Sequence, residues 1–464
     1  MIRTKYAIVG GGPAALYAAA AIRERDPAGR LVIIGAEGHP PYFRPLISYY
    51  LAGLVPRENL FMQDAEYYRQ KKIEMIGGKV TEVRGQEKVL VYQPLGEGRG
   101  DDAGFTPDSS EKRTAQHLQF EKLLIASGGT PGKPDLPGID TPGVYFLRTI
   151  EDAEKIAARA KGSQKALLWG GGLVSLKAAY ALYRLGLEIT LVIASDRILS
   201  QMLDRKGAEI VASYLAEKGL KMILQSDLQE VHGNSRGVTA VTLTGGRELK
   251  TDLIVIGKGV QPSVSFLEGS GIKEKGGVEV DERLQTNLPD IYAAGDVVLC
   301  RDLLQGIPVN NALWPNATAQ GECAGANMTG ERLTYRGSIS MNAAEFFGLP
   351  VISAGLGRAQ EGAGVDQDQP RKSDRVSSKE EIAPAPAAGV QPREIYELQK
   401  PTPSRREPHY LRLVFEDECL VGYVAIGKNR KAGMLTNLIT ARFPLAPQQK
   451  ERLISGDLAF PFSI

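Results

Sequence analysis

Three small residues at fixed spacing, Gly10, Gly12 and Ala15, are the first candidates for chemistry in this chain. They follow a short apolar run, Tyr6 to Val9, and open an alanine-rich helical pattern from Ala14 to Arg25. The first glycine permits a tight turn, and the second lets a pyrophosphate approach the backbone. A small third residue lets helix and strand pack closely. The helix N-terminus, reached through Pro13 and beginning at Ala14, can then face phosphates. A second apolar run, Leu31 to Ile34, leads to Glu37, an acid placed to bind a ribose hydroxyl. A lone glycine-rich loop is weak evidence, but strand, loop, helix, strand and acid in this order predict a dinucleotide site.

Other residues fit around the same ligand. After Glu37 a proline-rich entry brings Arg44 and Pro45 beside the loop, where a guanidinium can pair bidentately with a pyrophosphate. Val80 lies in a short strand whose backbone can meet an adenine edge. The run Lys122 to Ile125 ends in Ala126, Ser127 and Gly128, small enough for the backbone to pass close under a cofactor. A further strand ends in Gly295 and Asp296, whose carboxylate can bond the hydroxyls of a flavin's ribityl chain; a structural cap is the alternative. The segment from Asn310 opens a small-residue helix through Met328, and within it Trp314 either lies against a flavin or fills the core.

A second loop repeats the plan. The run Lys165 to Trp169 breaks at Gly170, Gly171 and Gly172, and a helix bearing Leu173, Val174, Ser175 and Lys177 follows. The next strand spans Glu188 to Ile193. Two such units in one chain point to one nucleotide donating electrons to another. The copy is imperfect: Ser175 takes the third small place, and Ile193 and Ala194 stand where a carboxylate would grip a ribose. Asp196 could substitute from the loop, and Arg197 could attract a 2′-phosphate, so NADH and NADPH both stay open.

These motifs must be carried by about three domains at 464 residues. The spacing predicts an α/β fold with two Rossmann-like dinucleotide-binding domains and a C-terminal α+β domain. The first domain is discontinuous, 1–147 and 252–330; the second is 148–251; the third, 331–464, carries paired strands around Glu416 to Glu418 and closing helices. The polar stretch 95–116 reads as a mobile hairpin loop without chemical consequence, and 358–408 as a disordered insertion. A balance of 56 basic and 54 acidic residues is too even for a nucleic-acid footprint. Three distant cysteines offer no metal framework and read as buried thiols in a reducing cytoplasm. The sequence reaches its first strand without a signal peptide, and no apolar run reaches the roughly 18 residues of a membrane span.

Together the motifs resemble the FAD-dependent pyridine nucleotide–disulfide oxidoreductase superfamily. Within it the chain looks most like the branch without a redox disulfide, which includes rubredoxin and ferredoxin reductases and the flavoprotein portion of nitrite reductase. The resemblance implies FAD at Gly10, Gly12, Glu37, Arg44, Val80, Ala126 and Asp296, and NAD(H) or NADP(H) at Gly170, Gly172 and Ser175. It gives the third domain an interface role, which suggests a homodimer. No cysteine pair follows the second strand, and Ser48 stands where relatives carry a single reactive cysteine. Tyr49 and Lys177 occupy the places of a Lys–Glu pair found in many relatives, so Lys177 either faces the flavin and stabilises its reduced ring or is a solvated helix residue. The implied activity is hydride transfer from NAD(P)H to FAD, then single-electron delivery to an iron–sulfur protein or partner subunit, in either direction. Two alternatives are an NADH oxidase using oxygen directly and a non-catalytic, redox-sensing flavoprotein with a degenerate second site.

Overall fold

The apolar runs become parallel strands buried on both faces, which is why they read as continuous rather than alternating. The computed structural model describes residues 2–95, 105–106, 114–358, 393–399, 408–428 and 431–455. The chain divides into two compact units: 1–135, 145–163 and 258–338 form the first, and 136–144, 164–257 and 339–464 the second.

In the first unit the parallel order is Ile291–Ala293, Gln116–Ile125, Ile2–Val9, Leu31–Gly35, Ile73–Arg84. The far half of Ile73–Arg84 pairs antiparallel with Val89–Pro94, which returns to the start of Gln116–Ile125. Ala7, Ile8, Val32 and Ile33 are wholly buried. Each large apolar side chain so buried contributes roughly 1.5–3 kcal/mol. Helix Pro13–Arg25 packs against helix Trp314–Met328 at backbone distance. A Cβ on Gly321 would lie 2.3 Å from the Ala14 carbonyl oxygen, and one on Gly325 2.4 Å from that of Ala18. The small residues of the second helix are what let the first come so near.

The second unit holds the parallel order Leu253–Ile256, Lys165–Trp169, Glu188–Ile193, Lys221–Leu224. A three-stranded antiparallel sheet follows, Leu228–Asn234, Gly237–Leu243 and Glu248–Lys250. The C-terminal part is a five-stranded antiparallel sheet in the order Met341–Phe346, Leu349–Gly355, Cys419–Ile426, Tyr410–Glu416, Glu394–Gln399. Helices Ala432–Ala441 and Pro447–Ile454 follow it. At the tip of its first hairpin, Phe347 sits edge-on to Tyr180 and Tyr183 of helix Leu173–Arg184. Its carbonyl accepts from the Tyr214 hydroxyl at 2.9 Å.

Three boundaries differ from the sequence reading. Helix Ile150–Ala160 belongs to the first unit, not to a domain beginning at 148, because His39 meets Glu151 at 2.7 Å and Tyr50 meets Glu154 at 3.1 Å. The C-terminal sheet shares one unit with the second nucleotide sheet instead of standing alone. Glu394–Gln399, inside the stretch read as disordered, is a strand paired with Tyr410–Glu416. It is anchored by Arg393 on Glu416 at 2.8 Å and by an ion pair of Arg412 with Glu397. The polar composition of the surrounding residues masks this short segment. Most of that stretch, and most of 95–116, lie outside the described residues; within the latter, Phe105–Thr106 pairs with Met75 and Ile76.

Candidate functional site: two glycine loops

The first loop is pinned from both sides. The Gly10 amide donates to the Ile34 carbonyl at 2.8 Å, and the Ala126 amide to the Val9 carbonyl at 2.8 Å. Gly10 has φ +115°, and a Cβ there would lie 2.1 Å from the Ala126 carbonyl oxygen, so no other residue fits without moving a strand. Gly12 is the opposite case. It caps helix Pro13–Arg25 without a side chain, and nothing lies within 4 Å of where its Cβ would be. The first-turn amides therefore open onto space that suits an anion. Ala15 is wholly buried, and Ala14 lies 3.2 Å from the Cβ position of Gly295, so both must stay small.

Around this loop the fold gathers two acids and two arginines. Arg44 ion-pairs with Glu37 and donates to the Tyr42 hydroxyl at 2.9 Å and the Arg148 carbonyl at 3.0 Å. The Tyr42 hydroxyl in turn donates to Glu37 at 2.5 Å. Burial works against the Arg44 charge, but the Glu37 carboxylate, Tyr42 and Asp296 outweigh it and raise its pKa above the ordinary arginine value. Burial, with Glu37 alongside, also pushes the Tyr42 hydroxyl far up, so it stays a donor. Pro45 sits in the 3-10 turn Arg44–Leu46. Asp296 lies on a turn built for it. The Gly295 amide donates to Gln320 Oε1 at 2.8 Å, and Asn310 Nδ2 donates to the Asp296 carbonyl at 2.8 Å. Its carboxylate accepts from Arg148 Nη2 at 3.0 Å.

Arg148 was not singled out from the sequence, yet it joins these groups. Its amide donates to Asp152 at 2.9 Å within the capping box of helix Ile150–Ala160, which fixes its backbone. The Thr149-x-x-Asp152 pattern announces that helix start, but only the fold shows what the preceding arginine reaches. Gln320 and Asn310, which hold the Asp296 turn, were also missed. Ala126, Ser127 and Gly128 end their strand as expected, with Ser127 Oγ donating to the Ser263 carbonyl at 2.9 Å. Gly128 has φ +71° and faces the Arg148 guanidinium. Val80 is buried opposite Tyr92 in the long strand Ile73–Arg84. Trp314 begins its helix and stacks on Phe43, ring centres 5.4 Å apart.

The second loop closes in the same way. Gly170 has φ +126°, and a Cβ there would lie 2.5 Å from the Gly257 carbonyl oxygen. Gly172 is again an open cap with nothing near its Cβ position, and Leu173, Val174 and Ser175 form the first turn. Ser175 is wholly buried and lies against Gly257, whose Cβ would fall 2.1 Å from Ser175 Oγ. The hydroxyl thus fits the third place because the residue it meets, just past the end of the adjoining strand Leu253–Ile256, is a glycine. Lys177 donates to the Glu345 carbonyl at 3.2 Å and lies 5.9 Å from the Phe346 ring centre. These contacts tie it to the C-terminal hairpin of its own unit.

Two open, glycine-lined helix starts, each at the end of a parallel strand, define a protein that binds two dinucleotides. The residues at the first loop fit FAD: an uncapped helix start, two guanidiniums for a pyrophosphate and two carboxylates for sugar hydroxyls. The chain belongs to the pyridine nucleotide-disulphide oxidoreductase family, whose model matches residues 4–321. It is accordingly an FAD- and nicotinamide-dependent oxidoreductase. It is 30% identical over 394 residues to the NADH-dependent phenylglyoxylate dehydrogenase subunit epsilon of Aromatoleum evansii, covering 83% of this chain and 87% of that one. It is 27% identical to the assimilatory nitrate reductase electron transfer subunit of Bacillus subtilis, covering 89% of this chain but 46% of that one. Among solved structures, an NAD-dependent persulfide reductase from A. fulgidus superposes with TM-score 0.79 at 25% identity, covering 95% of this chain and 77% of that one. Among the described residues no helix is long and apolar enough to cross a membrane.

Proposed function

We propose that the chain takes a hydride from NADH or NADPH at the second loop and delivers the electrons, through FAD at the first, to a protein acceptor. That acceptor is an iron–sulfur protein or a partner subunit, and the flow is reversible. The observation that carries this reading is the state of the three thiols. Burial pushes Cys323 up to about 11 and raises Cys300 above its ordinary value, so both stay protonated. Cys419 stands far away in sequence, with no second cysteine near it. No thiol pair is left to relay electrons inside the chain, so they leave it. The names of the two relatives, an electron transfer subunit and a dehydrogenase subunit, support a protein acceptor.

Bound FAD supplies the change from two-electron to one-electron chemistry. The chain supplies position and charge. Glu37 and Asp296 would accept from sugar hydroxyls, while Arg44, Arg148 and the amides of Gly12, Ala14 and Ala15 would hold the pyrophosphate. The backbone at Val80 meets the adenine, and Pro45, Ala126 to Gly128, Gly295 and Trp314 line the remainder. Gly170, Gly172, Leu173, Val174 and Ser175 hold the nicotinamide nucleotide, and Lys177 tunes the flavin. A homodimer in the cytoplasm completes the reading, with light scattering as its check on oligomeric state.

The test is anaerobic titration with NADH and NADPH, following the flavin bands at about 450 nm, then addition of an oxidised iron–sulfur protein. Bleaching by the nucleotide and rapid recovery with the iron–sulfur protein is the expected result. Recovery as fast with oxygen alone would turn the assignment to an oxidase. A colourless chain that cannot be loaded with FAD would overturn it altogether.

A further inference from the structure

Strand register aligns the two loops residue by residue. Ala7 pairs with Val32 just before Gly10, and Leu167 pairs with Thr190 at the same distance before Gly170. Counting on from those pairs, Ile193 corresponds to Gly35 and Ser195 to Glu37. The strand end that holds a carboxylate in the first unit therefore holds an isoleucine and a serine in the second.

Both are committed elsewhere. Ile193 is only 2% exposed. Its Cδ1 and Cγ2 would lie 3.0 Å from a Cβ on Gly171, so its side chain covers the loop itself. The Ser195 hydroxyl donates to the Arg197 carbonyl at 2.8 Å. Asp196, the next carboxylate, accepts from Arg197 at 3.1 Å and from Arg205 at 2.5 Å. Its charge is offset by the same guanidiniums that could otherwise attract a phosphate.

A strand-end carboxylate discriminates in two ways: it accepts from a ribose 2′-hydroxyl and repels a 2′-phosphate. An arginine in its place does the reverse. This strand end offers an apolar side chain, a hydroxyl already donating, and an acid and two bases paired with one another. Resting on the nicotinamide reading of the second loop, we propose that this site admits NADH and NADPH with little preference between them. Ile193 and Ser195 are the residues that remove the discrimination.

The test is calorimetric titration of the FAD-loaded full chain with NAD+ and, separately, NADP+. The two Kd values are expected to agree within about tenfold. Ser195 is half-buried, so charge can be introduced there while the flavin spectrum reports an intact fold. Ser195→Glu is expected to shift the Kd ratio about tenfold toward NAD+, and Ser195→Arg about as far toward NADP+. A wild-type ratio beyond tenfold in either direction, or a ratio that neither variant moves, overturns this inference and leaves the electron-donor reading standing. Binding of neither nucleotide by a yellow, folded protein overturns both.

Discussion

The loop after Val9 and the loop after Trp169 are closed by the same backbone contacts, yet they are furnished differently. In each, the first glycine takes a positive φ against the carbonyl of a neighbouring strand, and the last caps a helix with open space before it. Around the first loop the fold adds a ring of charge, Glu37, Arg44, Arg148 and Asp296, each acid paired with an arginine. Around the second it adds Ile193 and a hydroxyl at the strand end, with its charge confined to Asp196, Arg197 and Arg205 paired with one another. The difference teaches that the glycine pattern provides a place for phosphates, while long-range partners decide how firmly and how selectively the rest of a nucleotide is held.

The sharpest way to break the comparison is to add a methyl group to either loop. Gly10→Ala and Gly170→Ala each combine a left-handed φ with a clash against backbone, and each is expected to cost about 3 kcal/mol or more. Gly10→Ala should lose FAD, whereas Gly170→Ala should stay yellow but no longer bleach with NADH or NADPH. Thermal unfolding and flavin content check both; equal flavin loss in the two variants would mean that the loops do not serve separate ligands.

Arg148→Ala leaves the Asp296 carboxylate without its guanidinium. FAD affinity is expected to fall about thirtyfold, near 2 kcal/mol, with nucleotide binding at the second loop unchanged. Equilibrium dialysis of FAD measures the first, and calorimetry with NADP+ the second.

Acid should loosen the first unit through Glu151. Its hydrogen bond to His39, against the opposing effect of burial, lowers its pKa to about 2 from 4.5. A depressed carboxylate contributes stability above its unfolded pKa and loses it as pH falls through the folded one. The contribution, about 1 kcal/mol after allowance for solvent screening, should thus fade between pH 4.5 and 2. Denaturant midpoints across that window should converge for wild type and Glu151→Gln.

The smallest effect belongs to Lys177→Met, which should cost about 0.5–1 kcal/mol by losing the Glu345 carbonyl and the Phe346 ring. A shift in flavin potential measured on the same variant would show that Lys177 also acts on the flavin; an unchanged potential would confine it to its hairpin.

Much of the architecture was legible in the chain itself. The runs at Tyr6, Leu31, Lys165 and Glu188 became parallel strands because a strand covered on both faces must be apolar throughout. Gly10 and Gly170 were readable because only glycine takes that φ beside a backbone carbonyl. What was not legible had its cause at a distance. Glu394–Gln399 becomes a strand through the ladder that Tyr410–Glu416 offers it, and helix Ile150–Ala160 joins the first unit through His39 and Tyr50. Arg148 stands one residue before a helix cap like many surface arginines, and only the closing of the sheet brings Asp296 to it. Gln320 reads as one polar residue in a helix of small ones until the Gly295 amide is found on its carbonyl. Local geometry and burial on two faces are written in neighbouring residues, so the sequence alone determined the buried parallel strands and the glycine turns that follow them. A pairing between residues far apart in the chain has no local signature, so the meeting of Arg148 with Asp296 and of Gln320 with the Gly295 amide was decided only by the tertiary structure.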